Sequence, residues 1–116
     1  ARQLLANIVA TLDDNKAENI ATINLAGKST IADFMVVATG RSDRQVVAMA
    51  EHLIEKLRAR GLRNVPSEGR QKGDWVLIDT GDIVVHLFRP EIRSFYNLEK
   101  LWSDEPVAAR AAERIA

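Results

Sequence analysis

The sequence predicts an α/β sandwich, with a mixed five-stranded sheet packed against helices rather than a doubly wound parallel one. Three observations lead there. Apolar residues recur at three- and four-residue spacing in residues 4–12 and 46–57, the mark of helices with one buried stripe. Short apolar runs at residues 20–25, 33–39, 75–79 and 83–88, separated by turn residues, read as strands. The order of elements, helix, strand, strand, helix, strand, strand, strand, does not alternate as repeated strand–helix units would. With 116 residues, 47% of them hydrophobic, the chain suits one domain with one core.

Taken in order, Leu4, Leu5, Ile8, Val9 and Leu12 place the first helix at about residues 2–15, ended by Asp13-Asp14-Asn15. Ile20, Thr22, Ile23 and Leu25 form a strand closed by the turn Gly27-Lys28-Ser29, and residues 33–39 form its hairpin-like neighbour. Gly40 breaks that strand. Ser42 or Asp43 then caps a helix whose stripe is Val46, Met49, Ala50, Leu53, Ile54 and Leu57, and Gly61 stops it. A brief extended piece at residues 64–66 precedes a polar loop at 67–73. Residues 75–79 and 83–88 follow as an antiparallel hairpin around Thr80-Gly81. Pro90 ends the last strand, residues 95–102 suggest a short helix, and the alanine- and arginine-rich residues 105–116 are expected to form a mobile tail beyond a domain of residues 1–104.

Composition narrows the function. No cysteine is present, which removes disulfides, thiolate metal sites and a cysteine nucleophile. Sixteen cationic and sixteen acidic side chains give no net charge, so there is no overall attraction for nucleic acid or anionic lipid. The local basic clusters Arg58, Arg60, Arg63 and Arg70, Lys72 read as a solvated helix end and loop. No run is apolar and long enough to span a membrane, and residues 1–13 are amphipathic rather than signal-like, so the cytoplasm is the expected compartment.

Candidate chemistry is sparse. Asp79 and Asp82 flank Thr80-Gly81 and are candidates to share a divalent metal for phosphoryl or nucleotidyl transfer, but aspartate beside glycine is also ordinary turn chemistry, and the turn is preferred. Gly40-Arg41-Ser42 lacks the spacing of a phosphate loop, so Ser42 reads as a helix cap. His52 reads as a surface residue. His86 sits in an apolar strand without a second histidine or cysteine at ligand spacing, so neither metal nor cofactor is expected. Five of the six aromatics, Trp75, Phe88, Phe95, Tyr96 and Trp102, fall within residues 75–102, flanked by Asp79, Asp82, Glu99 and Asp104. Phe88 and Phe95 suit the core; Trp75, Tyr96 and Trp102 suit a protein interface. Carboxylate flanks favour a basic protein partner over stacked RNA bases.

Three blocks then make the chain resemble the Iojap-like ribosomal silencing factors: residues 33–40 (Asp33-Phe34-Met35-Val36-Val37-Ala38-Thr39-Gly40), Glu68-Gly69, and residues 75–88 from Trp75 to Phe88. The likeness continues through Arg93, residues 95–102 and Asp104. It implies a minimal nucleotidyltransferase-like α/β fold without activity. It also implies a factor that binds the fourteenth protein of the large ribosomal subunit, blocks joining to the small subunit and lowers translation when nutrients are scarce. The docking residues expected from the combined reading are Trp75, Leu77, Asp79, His86, Tyr96, Glu99 and Trp102. No membrane or sequence-specific nucleic acid is expected as partner; a second copy of the chain on the same aromatic face is compatible. The competing reading is a small metal-dependent nucleotidyltransferase or nucleotide-binding protein using Asp79, Asp82 and Ser42. Met35 and Thr80 depart from the family pattern without touching the fold.

Overall fold

The computed structural model describes residues 2–27 and 32–96. In chain order the elements are α1 (Arg2–Asp14), β1 (Glu18–Asn24), β2 (Phe34–Thr39), α2 (Asp43–Ala59), β3 (Ser67–Glu68), β4 (Trp75–Asp79), β5 (Ile83–Phe88) and α3 (Pro90–Tyr96). The strands form one five-stranded sheet in the order β1-β2-β5-β4-β3. Only β2 and β5 pair in parallel; every other pair is antiparallel. The expected mixed sheet and the opening hairpin-like pair are therefore present.

Both central strands are buried along their whole length, which requires cover on each face of the sheet. One face is covered by α1 and α2: Val36, Val85 and Leu87 meet Ile8, Leu12, Met49 and Leu53 in the larger core cluster. On the other face Leu25, Met35, Val37, Val84 and Phe88 form a second cluster, against which Trp75, Leu77 and Ile92 pack half-buried.

The ends of α2 show why the chain turns where it does. Ser42 Oγ accepts a hydrogen bond from the Gln45 amide at 3.1 Å, and Gln45 Oε1 accepts one from the Arg41 amide at 2.8 Å, a close variant of the reciprocal cap. At the other end Gly61 takes φ +100°, and the Leu62 amide donates to the Leu57 carbonyl at 3.0 Å, so the helix closes in a left-handed cap. Gly40 is a packing residue: a Cβ there would come within 2.8 Å of Val46 Cγ2.

Two expectations need correction. The third strand is Ser67–Glu68, inside the stretch read as a polar loop, not residues 64–66; its register is Ser67 opposite Ile78 and Glu68 opposite Leu77. A two-residue edge strand is held by backbone bonds and needs no apolar side chains, so periodicity does not reveal it. The last helix begins at Pro90 rather than at Phe95. Proline at a first helical position loses no hydrogen bond and has its φ already set, so the residue that ends β5 also starts α3. The rest of the expected helix, and the tail, lie outside the described residues.

Gly69 (φ +88°) presses the loop before β4 against that strand, since a Cβ on it would lie 2.0 Å from the Trp75 carbonyl oxygen. Gly27 has a similar φ of +80° with nothing within 4 Å of the added atom. Gly69→Ala should therefore cost more than about 2 kcal/mol in urea unfolding, against about 1 kcal/mol for Gly27→Ala. Equal losses would show that the approach to Trp75 constrains nothing.

Candidate docking face on the sheet

Strand β4 alternates as a half-covered strand should: Val76 and Ile78 are buried toward the helices, while Trp75, Leu77 and Asp79 are half-buried on the other side. Register then sets their neighbours. Trp75 lies opposite Phe88, Leu77 opposite His86, and Asp79 opposite Val84. Because directly opposed residues share a face, Glu68, opposite Leu77, belongs to it as well.

Trp75 is held from two sides. Its ring stacks on Phe88 with centroids 5.0 Å apart and planes 20° apart. Its indole N–H donates to His86 Nδ1 at 3.0 Å. An indole nitrogen only donates, so Nδ1 must be the unprotonated nitrogen and the neutral ring carries its proton on Nε2. That Nε2 is buried without a hydrogen-bond partner, and burial pushes the His86 pKa down to about 4. His86 was expected at the docking surface, but its side chain has no exposure. It lies beneath Trp75 and fixes the indole rather than presenting itself, because β5 is covered on both faces.

Beside Trp75 and Leu77, Glu68 and Gly69 complete a shallow depression of about 220 Å³. Asp79 turns to the β4–β5 connection, where its Oδ1 accepts the Gly81 amide at 2.8 Å, and Asp82 is exposed beyond it. Arg70 and Lys72 line the adjoining depression, with Val47 and Glu51 of α2, and Gly69 is common to both. The face thus joins an apolar, aromatic floor to a rim carrying Glu68, Asp79 and Asp82. Of the expected docking residues, Trp75, Leu77, Asp79 and His86 come together. For Tyr96 only the backbone position on α3 is described, and Glu99 and Trp102 lie outside the described residues. Glu68 and Gly69 were not among the expected site residues, although they stand in the block that carries the family likeness. Arg93 likewise has a role that its place in the sequence did not reveal: it ties α3 to the sheet by donating to Asn19 O at 2.6 Å and Thr39 Oγ1 at 2.8 Å.

The residues of the transferase reading are not assembled. Ser42 follows the end of β2, whereas Asp79 and Asp82 flank the start of β5, which runs parallel to β2 with Phe34 opposite Ile83 and Thr39 opposite Phe88. A six-residue strand separates them, roughly 20 Å. Ser42 is occupied as the cap of α2, and Arg41 is paired with Glu18 at 2.8 Å. His52 is exposed on α2 and bonds Asn15. Among the described residues no three histidine or acidic side chains gather as a metal set would require.

A small α/β domain that carries, among its described residues, a rigid aromatic sheet face with an acidic rim has the form of a binding module. The chain belongs to the family described as "Ribosomal silencing factor during starvation", whose model matches residues 1–115. It is 54% identical over 110 residues to "Ribosomal silencing factor RsfS" of Zymomonas mobilis, covering 90% of this chain and 83% of that one. A mouse relative named "Mitochondrial assembly of ribosomal large subunit protein 1" is 34% identical over 93% of this chain and 50% of its own length. A crystal structure of a protein from Chromobacterium violaceum superposes with a TM-score of 0.85 at 35% identity, covering 90% of this chain and 87% of that one.

The His86 pKa gives a signed prediction. It lies at about 4 in the fold against 6.5 for a free histidine, so as pH falls the unfolded chain takes up this proton first. The stabilisation is complete above pH 6.5 and lost progressively down to about 4. Between those limits wild-type unfolding free energy should fall by about 3 kcal/mol more than that of His86→Gln, which keeps an acceptor for the indole. Identical acid profiles would contradict the buried neutral ring.

Proposed function

We infer that this chain is a non-enzymatic ribosome-silencing factor that docks on the large ribosomal subunit through the Trp75–Leu77–Glu68 face. Its contact there is the fourteenth large-subunit protein, on the surface that meets the small subunit. Occupying that surface blocks subunit joining by steric exclusion and lowers translation when nutrients are limiting, in the cytoplasm. Family membership supports the ribosomal setting, and the mouse relative's name speaks of the large subunit.

The observation that carries the docking reading is the fixed state of Trp75. It is half-buried, stacked on Phe88 and hydrogen-bonded to His86, so little side-chain entropy remains to be lost on binding. The rim of Glu68, Asp79 and Asp82 suits a partner with exposed lysine or arginine. Separation of Ser42 from Asp79 and Asp82 weighs against the transferase alternative.

Co-sedimentation with separated subunits tests the reading, followed by light scattering of subunit association with the protein in excess. The chain should pellet with large subunits alone and reduce their association with small ones. Trp75→Ala and Trp102→Ala should each weaken binding by more than about tenfold, the effect of losing an aromatic anchor of about 2 kcal/mol. Glu68→Lys, at an exposed edge position, should weaken it without lowering stability. Full-strength binding by both Trp75→Ala and Glu68→Lys would remove this face from the interface.

A further inference from the structure

The sign of the surface charge reverses at the β3 edge of the sheet. Glu68 faces the same way as Leu77, whereas Ser67, opposite the buried Ile78, looks toward the helices. Directly after them the chain turns at Gly69 (φ +88°), and Arg70, Gln71 and Lys72 follow as exposed residues. With Ser67, Val47 and Glu51 they line an open depression of about 640 Å³, which shares Gly69 with the depression beside Trp75 and Leu77. The acidic rim and the basic loop therefore stand side by side with one glycine between them.

The backbone of this loop is fixed. The Gly73 amide donates to the Gly69 carbonyl at 2.9 Å and closes the turn. Gly73 is buried with φ +78°, and a Cβ there would lie 2.9 Å from the Asp43 carbonyl oxygen, so the loop is seated on the start of α2. Its cations find little within the chain. Arg70 enters no ion pair among the described residues, and Lys72 meets Asp74 at 3.5 Å with its side chain 80% exposed, a solvated contact that is readily exchanged. Arg44 and Arg58 of α2, both exposed, stand seven residues before and after Glu51, about two turns each way, and so lie on its stripe. Together they outweigh the Glu51 carboxylate and keep the potential over the depression positive.

Two chemistries accept such a patch, an acidic protein and a phosphate backbone, and the neighbouring face selects between them. The rim of Glu68, Asp79 and Asp82 suits a basic protein, and the basic proteins of a ribosomal subunit are embedded in RNA. The surface that borders one of them therefore carries phosphate, and the change of sign at Gly69 matches that border. Contacts to backbone phosphate carry no sequence information. A chain of zero net charge can use them once protein docking has brought the loop into place. We propose that the loop of Arg70, Gln71 and Lys72 binds backbone phosphates of the large subunit's RNA beside the protein contact, an inference that rests on the docking reading above.

Binding of the full chain to purified large subunits over a series of salt concentrations tests this. Arg70→Gln combined with Lys72→Gln should weaken binding by at least about tenfold at low salt and flatten the dependence of log Kd on log salt by roughly 1 for each charge removed. Arg2→Gln combined with Lys16→Gln, which removes two charges on the α1–β1 side, should change neither. A short photoactivated cross-linker on Gln71→Cys should capture RNA. Wild-type binding with an unchanged salt dependence in the loop variant would overturn the proposal and leave docking through the sheet face standing. Capture of protein alone from Gln71→Cys would do the same and assign the loop to an acidic protein. Failure of the wild type to bind large subunits would overturn the docking reading and this inference with it.

Discussion

Everything in this structure depends on the parallel pairing of β2 with β5. Parallel neighbours cannot be joined by a tight turn, so the chain must leave the sheet after Thr39 and return through a crossover. That crossover carries α2, whose stripe covers one face, together with β3 and β4, which extend the sheet beyond β5. Because both faces of the central pair are closed to water, the residues able to meet a partner are displaced outward to β4 and β3. Trp75 and Leu77 stand at the border between the covered centre and the open edge, which is why they are half-buried.

The same constraint explains the chemistry beneath Trp75. A histidine on β5 has no route to solvent, so it stays neutral and its Nδ1 is available to accept the indole N–H. The arrangement is not free of cost, since the Nε2 proton is left without an acceptor, and a buried unsatisfied donor costs about 1–3 kcal/mol. Phe88 behind the ring and Gly69 against the backbone complete the setting. Rigidity here serves the proposed docking: an anchor ordered before binding avoids about 0.5–1.5 kcal/mol of side-chain ordering on binding.

Much of this fold was legible because it rests on local rules. The stripes of α1 and α2, the Ser42 cap, the Gly61 stop and the Thr80-Gly81 hairpin all follow from spacing and turn chemistry. What was not legible depends on pairing between distant segments. The strand Ser67–Glu68 is polar and short, and it exists only because β4 lies beside it. The helix start at Pro90 was hidden because a proline that ends a strand and one that begins a helix look alike. Alternation correctly put His86 on the face with Val84 and Phe88, but placing it at the surface required knowing that this face of β5 is covered too. Likewise, only the parallel register reveals that Ser42 and the Asp79–Asp82 turn stand at opposite ends of the sheet. The proposed docking role of Tyr96, Glu99 and Trp102 rests on the family likeness rather than on geometry.

The natural absence of cysteine makes site-directed cross-linking the most direct test that the sheet face, rather than the helical layer, meets the ribosome. A single cysteine at Glu68, on the sheet edge, and another at Glu55, exposed on α2 beside His52 and Asn15, would each carry a short photoactivated cross-linker in the presence of large subunits. Covalent capture of a large-subunit protein is predicted from Glu68→Cys and none from Glu55→Cys. Capture from Glu55→Cys with none from Glu68→Cys would contradict this and turn the ribosome-facing surface to α2.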